Sequence, residues 1–561
     1  MLTVLLSALA CVPRTTPPAL HADAAVHPEL AAHSALFEPA VLNPADGIYV
    51  AVGYALSNVI LIEGDDGAVI VDTTEGRAAA TEALAALRSV VDKPIEAIVL
   101  THNHTDHVFG GQVFAEGRDV PVYAHEDTEA GIDRVVNVLR DALQVRSYRM
   151  FGTLLPAPPN AGIGGRLRFD PADVALLRPT HTFSDSLSVS VAGIDLELVH
   201  APGETDDQLF VWLPEQRALL PGDNIYQAFP NLYTIRGTPH RDLRDWYRSL
   251  DKMRDRQPAV LVPQHTRPVV GEAAVSEVLT AYRDAIQYVH DQTVRGINAG
   301  RTPDELAAEI RLPDHLAAHP WLQEHYGRVP WSVRSVYGGY IGWFDGDSAA
   351  LEPLPPDERA RRYVEAFAAG EPLPEQARAA LAAGELSWAA ELARLWQRAE
   401  PGSTEATVVL AAALEGLARG HINPNARNWY LTEALELRGE VVNEPTSPSL
   451  PPLDFIDSLP IAAFMEALPT RLRAEETLDA DLVVAFTFTD IGEDWAIHVR
   501  RGVAEVRQRA VAAPDLRLTT TAVTWRRLVA GKVNRATTLA GSDVQVDGSV
   551  AELVRFLAWF R

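Results

Sequence analysis

The fold class expected of this chain is α/β: a layered α/β domain, then an all-α domain, then a small α+β unit. Three observations carry that reading. Short apolar runs broken by Gly and Asp alternate with helical stretches over residues 45–275; apolar spacing turns helical almost without interruption from about 276 to 440; and strand-like segments return after a border marked by Pro445, Pro448, Pro451 and Pro452. At 561 residues the chain exceeds a single core, and an apolar content of 47% without long charge runs marks it as folded rather than disordered.

Residues 1–44 open with MLTVLLSALAC, an apolar run ending in small residues and in Cys11, the only cysteine. The run is too short for a membrane span. It reads as an export signal and linker, with Ala8-Leu9-Ala10-Cys11 an imperfect lipobox that makes Cys11 a candidate lipid anchor. A periplasmic or secreted protein is expected on that reading, while a lone cysteine, which permits no internal disulfide, is equally compatible with the cytoplasm. Over 45–275, Tyr49–Val52, Val59–Ile62 and Ala68–Val71 read as strands and Arg77–Val90 as a helix, its Ala and Leu residues recurring at helical spacing. Residues 276–445 form the expected helical domain. Thr302-Pro303-Asp304-Glu305 is an N-cap followed by an early proline, and 381–400 with 406–417 read as paired helices. The aromatic group Trp321, Tyr326, Trp331, Tyr337, Tyr340, Trp343 and Phe344 suits a core, a lid or an interface. In the last unit, 453–561, strands are expected at 482–490, 494–500, 503–509 and 516–521, with helices after them.

The chemistry concentrates in LTHNHTDHVFG, residues 100–110. His102, His104, Asp106 and His107 fall within six positions directly after the apolar run Ala97–Leu100. Neutral imidazole and carboxylate oxygen suit zinc, and one short segment supplies ligands for two cations. Further ligand types stand at the ends of later apolar runs: Glu204 after Leu196–Val199, Asp223 after Arg217–Leu220 and His265 after Val260–Val262, each behind a Pro or Pro-Gly breaker. That layout places them on one edge of a sheet, where the active site of a layered α/β fold is expected.

These residues, in this order, resemble the HxHxDH motif, Pro-Gly ligand turn, Gly-Asp bridge and late histidine of the metallo-β-lactamase superfamily. The resemblance implies an αββα sandwich with two Zn2+ per chain: His102, His104 and Glu204 on one, Asp106, His107 and His265 on the other, and Asp223 bridging. A carboxylate where the superfamily usually has histidine points to its alkyl sulfatase branch. That branch is also resembled by Leu56-Ser57-Asn58-Val59, by Arg146 to Gly152, by Asn231-Leu-Tyr-Thr-Ile-Arg-Gly237, by Tyr288-Val-His-Asp-Gln-Thr293 and by Ser335 to Gly346. Alkyl sulfatases usually read Pro-Gly-Thr-Glu-Ala-Pro where this chain reads Pro202-Gly-Glu-Thr-Asp-Asp207. Glu204 is therefore the preferred ligand, with Asp206 and Asp207 as alternatives, and Asp223 stands where that branch usually has glutamate.

The resemblance implies a zinc-dependent hydrolase of alkyl sulfate esters, with helical residues 276–445 as a homodimerisation domain and 453–561 as a sterol-carrier-protein-like unit. Zinc lowers the pKa of bound water from about 15.7 to near 7, which provides hydroxide without a separate strong base. A net charge of −26 repels a sulfate ester, nucleic acid and anionic membranes alike, so local cations must reverse the field at the site. They are sought in NLYTIRGTPHRDLR, residues 231–244. Arg236, Asn231 and Tyr233 are the candidate sulfate-binding residues, and Asp106 and His240 the candidate catalytic ones, His240 protonating the leaving group. Arg241 and Arg244 read instead as part of a surface helix with Asp242, Asp245 and Arg248. The C-terminal unit is expected either to hold an alkyl chain in an apolar tunnel or to be a structural appendage. Two other functional readings keep part of this picture: a hydrolase of another ester, lactone, thioester or lactam, and a non-catalytic lipid-binding dimer.

Overall fold

The structure, a computed structural model, describes residues 26–137, 139–444, 451–539 and 541–560. The expected export signal and Cys11 lie outside the described residues. Among those described, no helix is long and apolar enough to cross a membrane.

Two sheets form the first domain. One is seven-stranded, β1 (Ala40–Ala45), β2 (Ile48–Val52), β3 (Val59–Glu63), β4 (Ala68–Val71), β5 (Ile95–Val99), β6 (Val122–His125) and β7 (His181–Phe183), paired in chain order. The other holds β8 (Ser186–Val191), β9 (Ile194–His200), β10 (Leu209–Leu213), β11 (Ala218–Leu220), β12 (Val260–Leu261) and β13 (Val269–Val270), again in chain order across the sheet.

The two-residue period of strands decides which side chain goes where. Val69 and Val71 of β4 and Val211 and Leu213 of β10 join one apolar cluster between the sheets. Their neighbours Ala68 and Ile70 point outward to the helix Arg77–Arg88. Phe210 and Trp212 point outward to the helices Leu243–Asp255 and Glu272–Asn298. Helix, sheet, sheet, helix is the resulting stack, as expected.

The expected domain border at 275/276 falls inside the helix Glu272–Asn298, which packs with Trp246 and Phe229 of the first domain. That core continues as far as Val333, Val336 and Tyr337. The helical region therefore separates later than the periodicity suggested, because a change from mixed to purely helical spacing does not say which core a helix joins. Its helices include Leu373–Ala383, Leu386–Ala399, Thr404–Arg419 and Pro424–Leu437. The expected helix 381–400 is two, divided at Gly384, whose φ of +76° ends the first. Thr302 is the anticipated N-cap with Pro303 behind it, and it also forms a capping box with Glu305.

The last unit is a five-stranded sheet of β14 (Asp481–Phe488), β15 (Glu493–Arg500), β16 (Val503–Arg507), β17 (Leu516–Thr520) and β18 (Val544–Asp547), in the order β16-β15-β14-β17-β18. Its core of Phe486, Trp525 and Phe556 is separate, but Phe455, Ile456 and Leu459 leave it to pack on the outer face of the first sheet. β18 was not anticipated.

Candidate metal centre

All four ligand-bearing segments follow strands. His102 to His107 leave β5, Glu204 follows β9, Asp223 follows β11 and His265 follows β12, so the loops converge on one edge of the sandwich. Two of the turns depend on glycine. Gly222, at φ +63°, has no room for a Cβ, which would meet Gln208 Nε2 at 1.9 Å. A Cβ on Gly203 would meet Asn224 Oδ1 at 2.1 Å. Asn224 uses the space Gly203 leaves, donating to Ala201 O (2.7 Å) and accepting from Glu204 N (3.2 Å). The Glu204 and Asp223 turns are thereby tied together.

Six of the seven expected ligands gather as two groups of three, His102, His104 and Asp223, and Asp106, His107 and His265. Asp223 Oδ2 stands between them, 3.7 Å from His102 Nε2, 3.4 Å from His107 Nε2 and 3.2 Å from His265 Nε2. Asp106 Oδ2 lies 3.4 Å from His107 Nε2 and 3.5 Å from His265 Nε2. The buried atoms His107 Nε2, His265 Nε2 and Asp223 Oδ1 have no hydrogen-bond partner among the described residues. Orphaned buried polar atoms are rare, and inward-facing imidazole nitrogens around a carboxylate are the donor set zinc takes.

The other ring nitrogens are held from behind. His107 Nδ1 meets Asp72 Oδ2 at 2.8 Å, and the same carboxylate accepts from Thr101 N and Thr101 Oγ1, both at 2.8 Å. Thr101 Oγ1 in turn meets His102 Nδ1 at 3.0 Å. His265 Nδ1 donates to Leu56 O (3.0 Å). These contacts leave Nε2 of each ring facing the centre. Ser57 Oγ donates to Asp106 O, and Asn58 Nδ2 to Pro263 O and Thr266 O, so the Leu56-Ser57-Asn58 stretch is a strap across the ligand loops. Glu75, 1% exposed, accepts from Leu56 N at 3.1 Å and anchors the strap.

Electrostatics divide the imidazoles. Burial first, and then His107, push His102 down to about 3; burial and His102 hold His104 well below the usual range. Both rings are neutral with lone pairs available. Burial on its own raises an aspartate, but His107, His265 and His102 outweigh it and hold Asp223 well below the usual carboxylate range. Burial likewise opposes charge on His107, and Asp223, Asp106 and Asp72 overcome it.

Glu204 stands beside the two groups rather than within either. Its Oε1 is 2.9 Å from Arg241 Nη1, each side chain 2% exposed, and Tyr226 OH donates to its Oε2 at 3.2 Å. Asp206 is exposed, and Asp207 Oδ1 accepts from Asn103 Nδ2 at 2.6 Å. The expectation of Arg241 on a surface helix is corrected here. The helix begins at Leu243 behind the N-cap Asp242, so Arg241 precedes it and turns inward, donating to Asn231 O as well as pairing with Glu204. Arg244 and Arg248 do lie on the surface, with Asp242 and Asp245.

Arg236 reaches the centre, its Nη2 3.3 Å from His104 Nε2. Asn231 is buried with Oδ1 unpartnered. Tyr233 is half-buried and His240 exposed, and neither lines the cavity that opens at the centre. The ring of His240 lies on Gly339 instead.

That cavity, about 280 Å³, has His104, Asp106, Asp223, Arg236 and Tyr326 at its head. Beyond them its wall is mostly apolar, from Leu143 and Phe151 of the helix Arg140–Phe151 to Phe455, Phe464, Leu468 and Val529 of the last unit. A second cavity of about 370 Å³ inside that unit shares Leu468, Arg471 and Val529 with it and adds Trp525 and Phe556. Sequence reasoning missed Tyr326, Asp72 and Glu75 as parts of the site. An aromatic near a helical region reads as core, and a lone acid after a strand carries no motif; positive φ at Asp72 (+62°) and Thr74 (+71°) is visible only in the fold.

An αββα sandwich with this ligand edge defines a metallo-β-lactamase-fold protein, and residues 52–265 match the model of the metallo-beta-lactamase superfamily. Residues 302–440 match that for alkyl sulfatase dimerisation and 450–561 that for the alkyl sulfatase C-terminal domain. Over 519 residues the chain is 37% identical to a linear primary-alkylsulfatase of a Pseudomonas species, covering 89% of this chain and 98% of that protein. It is 28% identical to the Saccharomyces cerevisiae alkyl/aryl-sulfatase, over 92% of this chain and 81% of that one. The solved structure of the stereoselective inverting sec-alkylsulfatase Pisa1 from Pseudomonas superposes with a TM-score of 0.88 at 28% identity, covering 95% of this chain and 87% of that one. The chain belongs to the alkyl sulfatase family of the metallo-β-lactamase superfamily.

Proposed function

We propose that the chain is a dinuclear zinc hydrolase that cleaves alkyl sulfate esters to an alcohol and inorganic sulfate. The observation that carries this reading is the cavity: a head that sets the Arg236 guanidinium beside the metal-ligating His104, Asp106 and Asp223 opens into a mostly apolar wall. An amphiphile with an anionic head and a hydrocarbon tail matches both ends, and relatives named for primary, secondary and aryl sulfate esters support the class.

His102 and His104 with Asp223 would hold one zinc, and Asp106, His107 and His265 the other, Asp223 serving both. Glu204, a member of neither group, is paired with Arg241. Zinc bound there supplies Lewis acidity and a deprotonated water at neutral pH.

The protein's own part is charge and position. Arg236 offers a planar fork to the sulfate oxygens, which suits paired oxygens better than an ammonium does, and Tyr326 lines the head beside it. Phe109, Leu143 and Phe151, with Phe455, Phe464 and Leu468, exclude water and take the tail. Exclusion of water strengthens the Arg236–sulfate attraction where charge shifts as the ester bond breaks. The helical region, with Tyr340, Ile341 and Trp343 exposed on it (45%, 51% and 76%), supports a homodimer.

Sulfate release from dodecyl sulfate, lost on chelation and restored by zinc, is the expected result. Hydrolysis of lactones or lactams with no release from octyl, dodecyl or branched sulfates contradicts it.

A further inference from the structure

The helix Arg140–Phe151 works on two sides. Leu143, Gln144, Ser147 and Tyr148 line the cavity, whereas Arg149 Nε donates to Glu436 Oε1 of the helical region at 3.0 Å. The guanidinium carbons of Arg146 and Arg149 lie 5.3 and 5.6 Å from the ring centroid of Trp429, on the same helix as Glu436. From that seat Arg146 reaches to the segment carrying Arg236. Its Nε donates to Arg236 O at 2.7 Å and its Nη2 to Ile235 O at 2.6 Å.

Two successive carbonyls held by one planar fork is a contact that a guanidinium makes and an ammonium does not. The segment belongs to no helix or strand, so little else in its own backbone fixes it. A local turn, Gly237 N to Thr234 O at 3.0 Å with Gly237 at φ +110°, closes the far side. Between these two restraints the Arg236 side chain emerges toward His104. A long side chain rooted on a free loop reaches its target with many root positions; pinning the root removes them.

We infer that Arg146 is a positioning residue for Arg236, and that Trp429 backs it, so that the helical region holds the root of the anion-binding group. The inference rests on the proposed sulfate role of Arg236. Arg146 is exposed and touches no candidate ligand, and its work is done through the Ile235–Arg236 backbone.

The test uses the full-length zinc protein and the variants Arg146→Ala, Arg146→Lys, Trp429→Leu and Arg236→Lys, with zinc content and melting temperature as controls. Expected is a fall of about ten- to a hundredfold in kcat/KM for dodecyl sulfate in Arg146→Ala, with weaker inhibition by inorganic sulfate and unchanged zinc. Arg146→Lys recovers little and Trp429→Leu falls between. In an Arg236→Lys background the Arg146→Ala change lowers kcat/KM less than about threefold further, because its target is already altered. The inference is overturned if Arg146→Ala leaves kcat/KM and sulfate inhibition within about twofold of the parent, or if its full effect recurs in the Arg236→Lys background. Full activity of Arg236→Lys alone overturns the sulfate role itself, which separates that failure from the failure of the positioning role.

Discussion

Individual residues at the centre divide by what they face. Arg236 faces the cavity head and, among the described residues, has no carboxylate within salt-bridge distance, whereas Arg241, five positions on, is committed to Glu204. Arg236→Ala should therefore abolish sulfate release with zinc content intact; equal loss of metal would show that Arg236 maintains the centre instead. Arg241→Met leaves a buried carboxylate without its partner, and breaking such a pair destabilises by about 3–5 kcal/mol. Thermal unfolding of that variant should show a large drop, and an unchanged melting temperature would contradict the pairing. Asp72 orients His107 directly and His102 through Thr101. Asp72→Asn should weaken zinc binding by about 10–100-fold, the usual effect of losing an outer partner of a ligand histidine. Competition with a chromogenic chelator measures this.

At the scale of elements, the ligand edge was legible because each ligand type follows an apolar run and a breaker, and strand ends are where such punctuation falls. Ala68–Val71 and Leu516–Thr520 were readable for the same reason. What escaped was context that no local period encodes. Arg241 fits a helical spacing with Asp245, but the helix starts two residues later, at Leu243 behind an Asp242 cap, and the inward turn of Arg241 is set by Glu204, a carboxylate on a distant strand-end turn. The Val544–Asp547 strand is four residues long and, among the described residues, pairs with β17 alone. The border at 275/276 failed because the helix Glu272–Asn298 has a purely helical pattern yet belongs to the first core.

One junction carries its own pH dependence. His33, the last residue of the helix Pro28–His33, stacks on His325 with ring centroids 3.8 Å apart and donates from Nε2 to Gly162 O, 2.7 Å away. Burial, then His325, push its imidazole from 6.5 down to about 4. Between those values the unfolded chain holds more protons than the folded one. Stability is therefore full above about 6.5 and is lost as pH falls toward about 4. Urea midpoints across that window should fall less steeply for His33→Asn than for the parent; parallel slopes would contradict the assignment.

On the scale of the whole molecule, the cavity is a product of three regions. The first domain supplies the head, the helix Arg140–Phe151, braced by the helical region, supplies one wall, and the C-terminal unit supplies the rest. The second cavity shares Leu468 and Val529 with the first, and on the proposed reading the C-terminal unit takes part in binding the tail. Phe464→Ala should raise KM for dodecyl sulfate, by a factor corresponding to about 1–3 kcal/mol for a large apolar contact, and change KM for a short-chain ester far less. Equal effects on both chain lengths would return the unit to a structural role. That the cavity joins regions several hundred residues apart explains why its lining was not legible from any one segment, although the residues of its head were.

The centre itself is tested most directly by counting zinc per chain in the native state, by native mass spectrometry, for the parent and for His104→Ala and His265→Ala. Two ions in the parent, with each variant retaining one and the double variant none, is the outcome required by two ligand groups sharing Asp223. A single ion in the parent, or an unchanged count in both variants, contradicts a dinuclear site.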